Sequence, residues 1–496
     1  MHTKINKEMT TFTLALVLLV LGYLLYGAVV DRVFGSDRER QTPAYAMRDD
    51  VDYMPMPTWR VFLVQFLNIA GTGPIFGAIL GVLYGPAAYI WIVLGCIFGG
   101  AVHDYMCGMI SLRCGGASLP EIIGNELGVV VRHLMRILSL VLLVLVGTVF
   151  AQTPASIMTL MTGGWPVLNT VMAWTLLIFA YYVLATLLPI DKLIGRVYPL
   201  FGLALLVMAA GVMWGIYSKA GFLPELGDAF QDHHPSAGSV PIFPGLCITI
   251  ACGAVSGFHG TQSPMMSRCL TNERWGRPVF YGAMITEGVV ALIWAAAAVK
   301  FASSLDVSGD TPYAKLLSAM TNPETGKVNP AILVYNVCHS WLGTVGAVLA
   351  ILGVVAAPLT SGDTALRSAR LIFADILHLP QTKILYRLAL CLPVFAVSLA
   401  LMFVDFQVIW RYFAWTNQTL AMFTLWASTV WLHRQQRCYW VALVPALFMT
   451  VVSVCYIVVA PEGLHMPMSV GVPAALVVAA VSATQFAVYV MKSKKK

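Results

Sequence analysis

The chain has 496 residues, of which 59% are hydrophobic and only 11% are charged. This composition excludes an ordinary soluble domain, in which about 25% of residues carry a charge, and it indicates an integral membrane protein. The formal net charge of +7 requires no nucleic-acid partner, because basic loops at the anionic surface of a lipid bilayer account for it.

Apolar stretches that are long enough to cross a bilayer occur along the whole chain. A spanning helix needs roughly 20 residues, and by this rule the sequence predicts about thirteen transmembrane helices. In chain order the predicted spans lie near residues 11–30, 60–83, 87–112, 133–153, 167–188, 197–217, 243–265, 278–299, 340–359, 384–404, 406–432, 439–459 and 470–489.

The basic residues collect in alternate loops of this arrangement, as expected when those loops face the cytoplasm. The distribution places the C-terminus and Arg268 inside and Lys327 outside, and it leaves the side of the N-terminus open. The predicted units are an N-terminal extra transmembrane helix and cytoplasmic loop (1–59), a first five-helix repeat (60–217), an external loop and second, inverted five-helix repeat (218–432), and two C-terminal transmembrane helices with a basic tail (433–496).

Two short motifs interrupt the apolar segments, GTGP at 71–74 and GTQSP at 260–264. Gly and Pro interrupt helical hydrogen bonding at bilayer depth, and the freed N–H and C=O groups need partners that lipid lacks. Paired interruptions in corresponding halves are typical of a secondary transporter with its substrate site at the midplane. We therefore expect two discontinuous helices. The alternative is that these glycines only permit close helix packing.

The free N–H groups of half-helix N-termini suit a substrate carboxylate, and polar side chains cluster beside both motifs. For each side chain the alternative role is a hydrogen bond between helices. The predicted substrate-binding residues are Gln65, Asn68, Gly71, Thr72 and Gly73 at the first motif, His259, Gly260, Thr261 and Gln262 at the second, Gln152 at the end of the fourth span, and Trp415 and Asn417 in the eleventh.

Titratable residues at membrane depth are candidates for ion coupling, because they are rare there and usually functional. Glu287 lies near the middle of an apolar span and is the leading predicted proton carrier, with a structural pair as its alternative role. His259 is a second candidate, because histidine exchanges protons near neutral pH. His103 and Asp104 complete the set, and their alternative role is to anchor loops.

A further candidate ion site, made of oxygen atoms, lies in the segment that follows residue 356. The carbonyl of Ala357 and the hydroxyls of Thr360 and Ser361 fall on one helical face, and hard oxygens of this kind suit a small cation. The hydroxyls could instead bond carbonyls of their own helix. Asp363 and Arg367, in the same segment, are predicted to belong to an inner-gate charge network.

Longer blocks of sequence carry a family resemblance: MPMPTWRVFLVQFLNIAGTGPIFGAI from Met54, SGFHGTQSPMMSR from Ser256, LTSGDTALRSAR from Leu359 and IWRYFAWTNQ from Ile409. In these blocks the chain resembles the carbon starvation protein A family of bacterial transporters. The resemblance implies uptake of peptides or pyruvate-like acids, driven by protons, across the bacterial inner membrane.

The resemblance also implies a fold, an all-α membrane protein similar to the inverted five-plus-five repeat of the amino acid, polyamine and organocation transporters. The group at Ala357, Thr360 and Ser361 resembles the sodium site of those transporters, whose remaining ligands would here be carbonyls of Asn68 and Gly71.

The sequence therefore predicts an ion-coupled symporter that takes up small peptides by alternating access. The alternatives are proton-coupled uptake of pyruvate or another small carboxylate, and a nutrient sensor that does not transport. The sequence contains no HExxH, GxSxG or phosphate-loop motif, so we predict no enzyme, no catalytic or metal-binding residues and no cofactor. The expected coupling ion is a proton or sodium, and the oligomeric state is left open.

Overall fold

The computed structural model of the protein describes residues 9–493 apart from 51, 163–167, 188–197, 236–240, 324–325, 378 and 380–383. Within these residues the regular structure is helical, and the only extended pairing is an isolated bridge between Thr321 and Val328. The predicted span limits at 167, 188 and 197 lie outside the described residues.

The first half of the chain forms eight main helices. Most are apolar on all sides, which is the pattern of helices buried in lipid or in a bundle. They are α1 (Thr10–Phe34), α2 (Thr58–Ile69), α3 (Gly73–Tyr84), α4 (Ala87–Arg113), α5 (Leu119–Leu127), α6 (Val129–Met161), α7 (Val171–Leu187) and α8 (Tyr198–Ser218).

The second half forms ten more. Two of them, α9 and α10, lie within one predicted span. They are α9 (Ile242–Thr249), α10 (Gly257–Ser267), α11 (Glu273–Ser303), α12 (Pro312–Met320), α13 (Pro330–Ala350), α14 (Ala356–Leu377), α15 (Ile384–Leu401), α16 (Phe406–Arg434), α17 (Trp440–Val459) and α18 (Met468–Ser493).

Among the described residues, seven helices are long and apolar enough to cross a membrane. An eighth span results if α2 and α3, which meet at 45°, are counted together. By length and composition the protein is therefore a multi-pass membrane protein. The count of about thirteen spans, the four predicted units and the inverted repeat stay predictions.

Burial separates central helices from peripheral ones. In the most apolar window of α11, 89% of residues are buried, and the corresponding share in α4 is 83%. The shares in α1 and α18 are only 28% and 17%. Side chains on α4 and α11 therefore face other helices, whereas α1 packs on the outside of α11 and α18 on the outside of α17.

The first predicted helix break is confirmed. Helix α2 ends at Ile69, the chain bends through Ala70 and Gly71, and helical structure resumes at Gly73. Pro74 falls in the first turn of α3, where a missing N–H costs little because that N–H would have no helical partner.

The second break exists, but its predicted position is wrong. Residues 250–256 are not helical, and GTQSP lies inside α10. Pro264 cannot donate to the carbonyl of Gly260, but the thiol of Cys107 donates to that carbonyl at 3.3 Å, so the helix continues. The break instead contains Gly253, whose φ of +91° is one that side-chain-bearing residues rarely adopt.

The two breaks lie directly against each other. A Cβ atom added to Gly73 would lie 2.2 Å from the Cβ of Cys252, and one added to Gly253 would lie 3.4 Å from the Cα of Pro74. Both breaks are buried. Their non-helical backbone is therefore enclosed by protein, which is the condition under which such backbone is tolerated at bilayer depth.

This contact predicts the behaviour of a Gly73→Ala variant. The added methyl group overlaps Cys252, so we expect a loss of about 1–3 kcal/mol of stability from overpacking and a lower melting temperature in detergent. The control is Gly227→Ala, because a Cβ at Gly227 has nothing within 4 Å. The double variant Gly73→Ala/Cys252→Gly should recover part of the loss. Equal melting temperatures for all of these proteins would contradict the packing.

Candidate functional site

Four titratable side chains meet beside the second break. His103 and Asp104 lie on α4, His259 on α10 and Glu287 on α11. The Nδ1 atom of His103 is 2.8 Å from Oδ1 of Asp104, and the Nδ1 atom of His259 is 2.9 Å from Oδ2 of Asp104. The Nε2 atom of His259 lies 3.3 Å from Oε2 of Glu287. All four residues are completely buried, and we call them the acid-histidine cluster.

When Asp104 is ionised, the hydrogen bonds assign the proton positions in this cluster. An ionised carboxylate only accepts hydrogen bonds, so each Nδ1 atom donates to Asp104. The second nitrogen of each ring is then available for proton exchange. His259 Nε2 and Glu287 are within ion-pair distance, but their angle does not make a hydrogen bond. The structure thus joins all four ion-coupling candidates, and it places His103 and Asp104 in the interior rather than at a loop.

The side chains at the first break form a second buried polar group. Gln65, Asn68 and Thr72 are all completely buried. The amide of Gln65 donates to the hydroxyl of Ser263 on α10 at 3.2 Å. Within the described residues, Gln65 Oε1, both amide atoms of Asn68 and the hydroxyl of Thr72 have no hydrogen-bond partner. Since buried polar groups are normally bonded, this arrangement suits a polar ligand.

The backbone of Gly260 does not present a free N–H group, contrary to expectation. Only the first residues of a helix lack an internal partner for their N–H, and α10 begins at Gly257. Asn417 on α16 caps this end: its Oδ1 atom accepts from the N–H of Phe258 at 2.6 Å, and its Nδ2 atom donates to Ser256 at 3.1 Å.

The remaining predicted residues of the second motif bond within α10. The hydroxyl of Thr261 donates to the carbonyl of Phe258 at 2.7 Å, and the amide of Gln262 donates to Thr261 at 3.4 Å. The Oε1 atom of Gln262 is buried without a hydrogen-bond partner among the described residues. Thr261 and Gln262 therefore help to fix α10, and Gln262 retains one free acceptor.

Three predicted substrate contacts lie apart from these groups. The indole of Trp415 donates to the carbonyl of Ser453 on α17 at 3.1 Å, so it faces away from the breaks. Gln152 lines a separate cavity. Gly71 is covered by Phe150, whose ring atom would lie 2.7 Å from an added Cβ.

Two cavities border helices that lead into the site, one at Phe76 of α3 and the other at Thr261 of α10. The larger, of about 550 Å³, is lined by Phe76, Gln152 and Thr153, and also by Lys327 and Asp405, which pair at 3.4 Å. We call it the Lys327 cavity. A smaller one, of about 90 Å³, is lined by Ser118, Leu119, Pro120, Thr261, Pro264, Met265, Arg268, Ser368, Leu371 and Ile372, and we call it the Arg268 cavity.

The group at Ala357 is assembled across two helices. The hydroxyl of Thr360 donates to the carbonyl of Ala357 at 2.8 Å, and that of Ser361 lies 2.9 Å from the same carbonyl and 3.2 Å from the carbonyl of Leu67 on α2. An added Cβ on Gly71 would lie 3.2 Å from the Ser361 hydroxyl. The oxygens are thus close together. The hydroxyls of Thr360 and Ser361 also bond a carbonyl of their own helix, which is the alternative role expected for them.

The two predicted gate residues tie α14 to its neighbours. The carboxylate of Asp363 accepts from the hydroxyl of Tyr198 on α8 at 2.8 Å. The guanidinium of Arg367 donates to the carbonyl of Ala185 on α7 at 2.8 Å. Both side chains are buried, so any movement of α14 against α7 and α8 must break charge-assisted bonds.

The family is settled by comparison of the whole sequence. The family model described as Carbon starvation protein CstA matches residues 7–173, 157–325 and 318–455. The chain belongs to this family. It is 46% identical over 341 residues to a membrane protein of Haemophilus influenzae, covering 60% of this chain and 92% of that protein.

Two further CstA relatives have functional names. The Peptide transporter CstA of Bacillus subtilis is 28% identical over 359 residues, covering 59% of this chain and 58% of that protein. The Pyruvate/proton symporter BtsT of Escherichia coli is 28% identical over 378 residues, covering 63% of this chain and 51% of that protein. The match spans little more than half the length of these two relatives.

Solved structures share the fold of this CstA family member. Two mutants of the Eremococcus coleocola manganese transporter superpose with TM-scores of 0.52 and 0.53, each covering 88% of this chain and 99% of theirs. Their sequences are only 14% and 13% identical to it, so the likeness concerns the fold alone.

Sequence reasoning missed several residues of the site in this CstA protein. Ser263 follows His259 by one helical turn within the quoted motif, and that spacing could have identified it, since both then face the same side of α10. Tyr198 and Phe150 come from distant helices, and no local pattern in the sequence marks them.

The cap on α10 predicts the effect of substitutions at Asn417. Asn417→Ala leaves the N–H of Phe258 buried without an acceptor, which should cost about 1–3 kcal/mol of stability, whereas Asn417→Asp retains the acceptor. Thr424→Ala is the control, because Thr424 is buried on the same helix and bonds only a carbonyl of its own helix. Thermal unfolding in detergent measures the three variants. A loss at Thr424→Ala as large as that at Asn417→Ala would exclude a specific cap.

Proposed function

We propose that this CstA family member is a proton-coupled symporter that takes up small peptides by alternating access across the bacterial inner membrane, with its C-terminus in the cytoplasm. The observation that carries the proposal is the acid-histidine cluster. It holds two acids and two histidines in contact, completely buried, beside the contact between the two helix breaks.

Binding one proton lowers the cost of burying the cluster. With Asp104 and Glu287 ionised and His259 protonated, the two carboxylates outnumber the single cation and leave one excess negative charge. Burying an uncompensated charge costs several kcal/mol. One further proton removes the excess charge, so the proton-loaded cluster is the form best suited to a buried, reorienting helix bundle.

Substrate and proton would act on the same helix. The Gln65 to Ser263 hydrogen bond joins the first break to α10, and Ser263 also donates to the carbonyl of His259 at 3.0 Å. A ligand that engages the free Oε1 atom of Gln65 would therefore contact a side chain that is itself hydrogen-bonded to the helix that carries His259. This connection supports coupling between the two sites.

The Lys327 cavity supports a peptide as the substrate. The predicted topology puts Lys327 on the external side. The cavity offers about 550 Å³ and carries both Lys327 and Asp405, which complement the two termini of a zwitterionic peptide. The name of the Bacillus subtilis relative agrees with a peptide. The name of the Escherichia coli relative keeps pyruvate as the second candidate.

Transport in proteoliposomes tests substrate and ion together. Labelled alanyl-alanine and labelled pyruvate are supplied under an imposed proton gradient or an imposed sodium gradient. We expect accumulation of alanyl-alanine with the proton gradient alone. Accumulation driven only by sodium would move the coupling to the oxygens of Ala357, Thr360 and Ser361. Binding without accumulation under either gradient would indicate a sensor.

A Glu287→Gln variant tests the proton carrier. The amide cannot lose or gain a proton near neutral pH. We therefore expect normal peptide binding, retained exchange of internal for external peptide, and no gradient-driven accumulation. Glu126→Gln is the matched control, because Glu126 pairs with Arg434 at 3.0 Å and is not part of the acid-histidine cluster. Full accumulation by Glu287→Gln would remove this residue from the mechanism.

A further inference from the structure

We infer that the acid-histidine cluster exchanges its proton with the cytoplasmic side through His103, along a water path that the side chain of Leu119 closes. The inference rests on the proposed proton coupling and adds to it the route by which the proton leaves. His103 Nε2 is the far end of the cluster: it is buried and has no hydrogen-bond partner among the described residues, whereas Nδ1 is held by Asp104.

Leu119 lies against this end of the cluster. A Cβ atom added to Gly260 would lie 2.9 Å from Cδ2 of Leu119 and 3.4 Å from Nε2 of His103. Both side chains therefore approach the same point beside Gly260, where the missing side chain leaves room for them. Leu119 is the first residue of α5 and only 1% exposed, so its isobutyl group is buried beside this end of the cluster.

Beyond Leu119 the path to the surface is open. Leu119 is itself part of the wall of the Arg268 cavity, whose volume of about 90 Å³ is large enough for several water molecules. Ser118 and Arg268 also line a wider cavity of about 460 Å³, together with Glu121 and Arg136. Polar groups thus continue from the far side of Leu119 to the surface.

An apolar side chain in this position blocks proton transfer because it interrupts the water chain, as hydrophobic constrictions do in channels. The proton balance of the release step is simple. In the loaded state Asp104 carries the extra proton of the cluster, and neutral His103 has its own proton on Nε2. The Nε2–H bond breaks and this proton forms an O–H bond with water in the Arg268 cavity, while Asp104 gives its proton to Nδ1 of His103. His103 is then neutral again, and its Nδ1–H donates to the ionised Asp104. Displacement of the start of α5 from Gly260 opens this step.

Proton leak without substrate tests the route. Proteoliposomes with a trapped pH-sensitive dye receive a potassium-valinomycin potential, and the initial rate of internal pH change is measured. Leu119→Ala should raise the leak about tenfold, which corresponds to a barrier lower by about 1.4 kcal/mol. Leu119→Val should give an intermediate rate. Ile372→Ala is the control, because Ile372 lines the same cavity but is not among the atoms nearest to Gly260.

The double variant Leu119→Ala/His103→Gln decides whether the leak passes through the cluster, because glutamine cannot be protonated there and should return the leak to the wild-type rate. An unchanged leak in both Leu119 variants, or a leak that persists in the double variant, overturns the inference. The leak assay contains no substrate, so it is independent of the proposed symport. If the variants show the expected leak rates but the wild-type protein shows no proton-driven uptake, the proposed symport is excluded and the proton route is retained.

Discussion

The structure depends on the contact between two interrupted helices at the centre of an apolar protein. Main-chain groups without helical partners cannot face lipid, since each unsatisfied group costs several kcal/mol there. The chain meets this constraint by placing one break against the other, Gly73 against Cys252 and Gly253 against Pro74. Small residues make the approach possible, and the largely buried helices α4 and α11 complete the enclosure.

The titratable residues follow from the same arrangement. Asp104, His259 and Glu287 come from three helices that meet beside the second break: α4 packs on both α10 and α11, and His259 on α10 reaches Glu287 on α11. Each charged or polar member neutralises or bonds a neighbour, which limits the cost of burying it. Because these side chains are in contact, a change in protonation at one residue is felt by its neighbours at about 3 Å, and it need not be transmitted over a distance.

The two cavities beside this centre differ in volume. The Lys327 cavity holds about 550 Å³ and the Arg268 cavity about 90 Å³. Phe150 covers Gly71 and makes edge contacts with Phe258 and Phe413, at centroid distances of 5.8 and 6.1 Å. The polar group at the first break is therefore shielded by aromatic rings in this conformation. A ligand that reaches Gly71 requires Phe150 to move, which explains why several predicted contacts do not line one common cavity.

The sequence by itself determined the class of the protein, its family and the first break. Composition and the spacing of apolar stretches depend only on local properties, and the bend at the first break lies at the Gly71 and Pro74 motif that predicted it. The titratable residues were also visible, since Glu287 and His259 are unusual in apolar segments. Their grouping with His103 and Asp104 was not, because it depends on how α4, α10 and α11 pack.

Only the tertiary structure decided the second break and the partners of the site. GTQSP predicted an interruption, yet the Cys107 thiol satisfies the carbonyl that Pro264 leaves free, and the break moves to Gly253. Asn417 caps α10, Trp415 bonds α17, and Leu119 and His103 approach the same point beside Gly260. Each of these outcomes depends on a residue distant in sequence supplying or withholding a hydrogen bond or a packing contact, and local patterns carry no information about that.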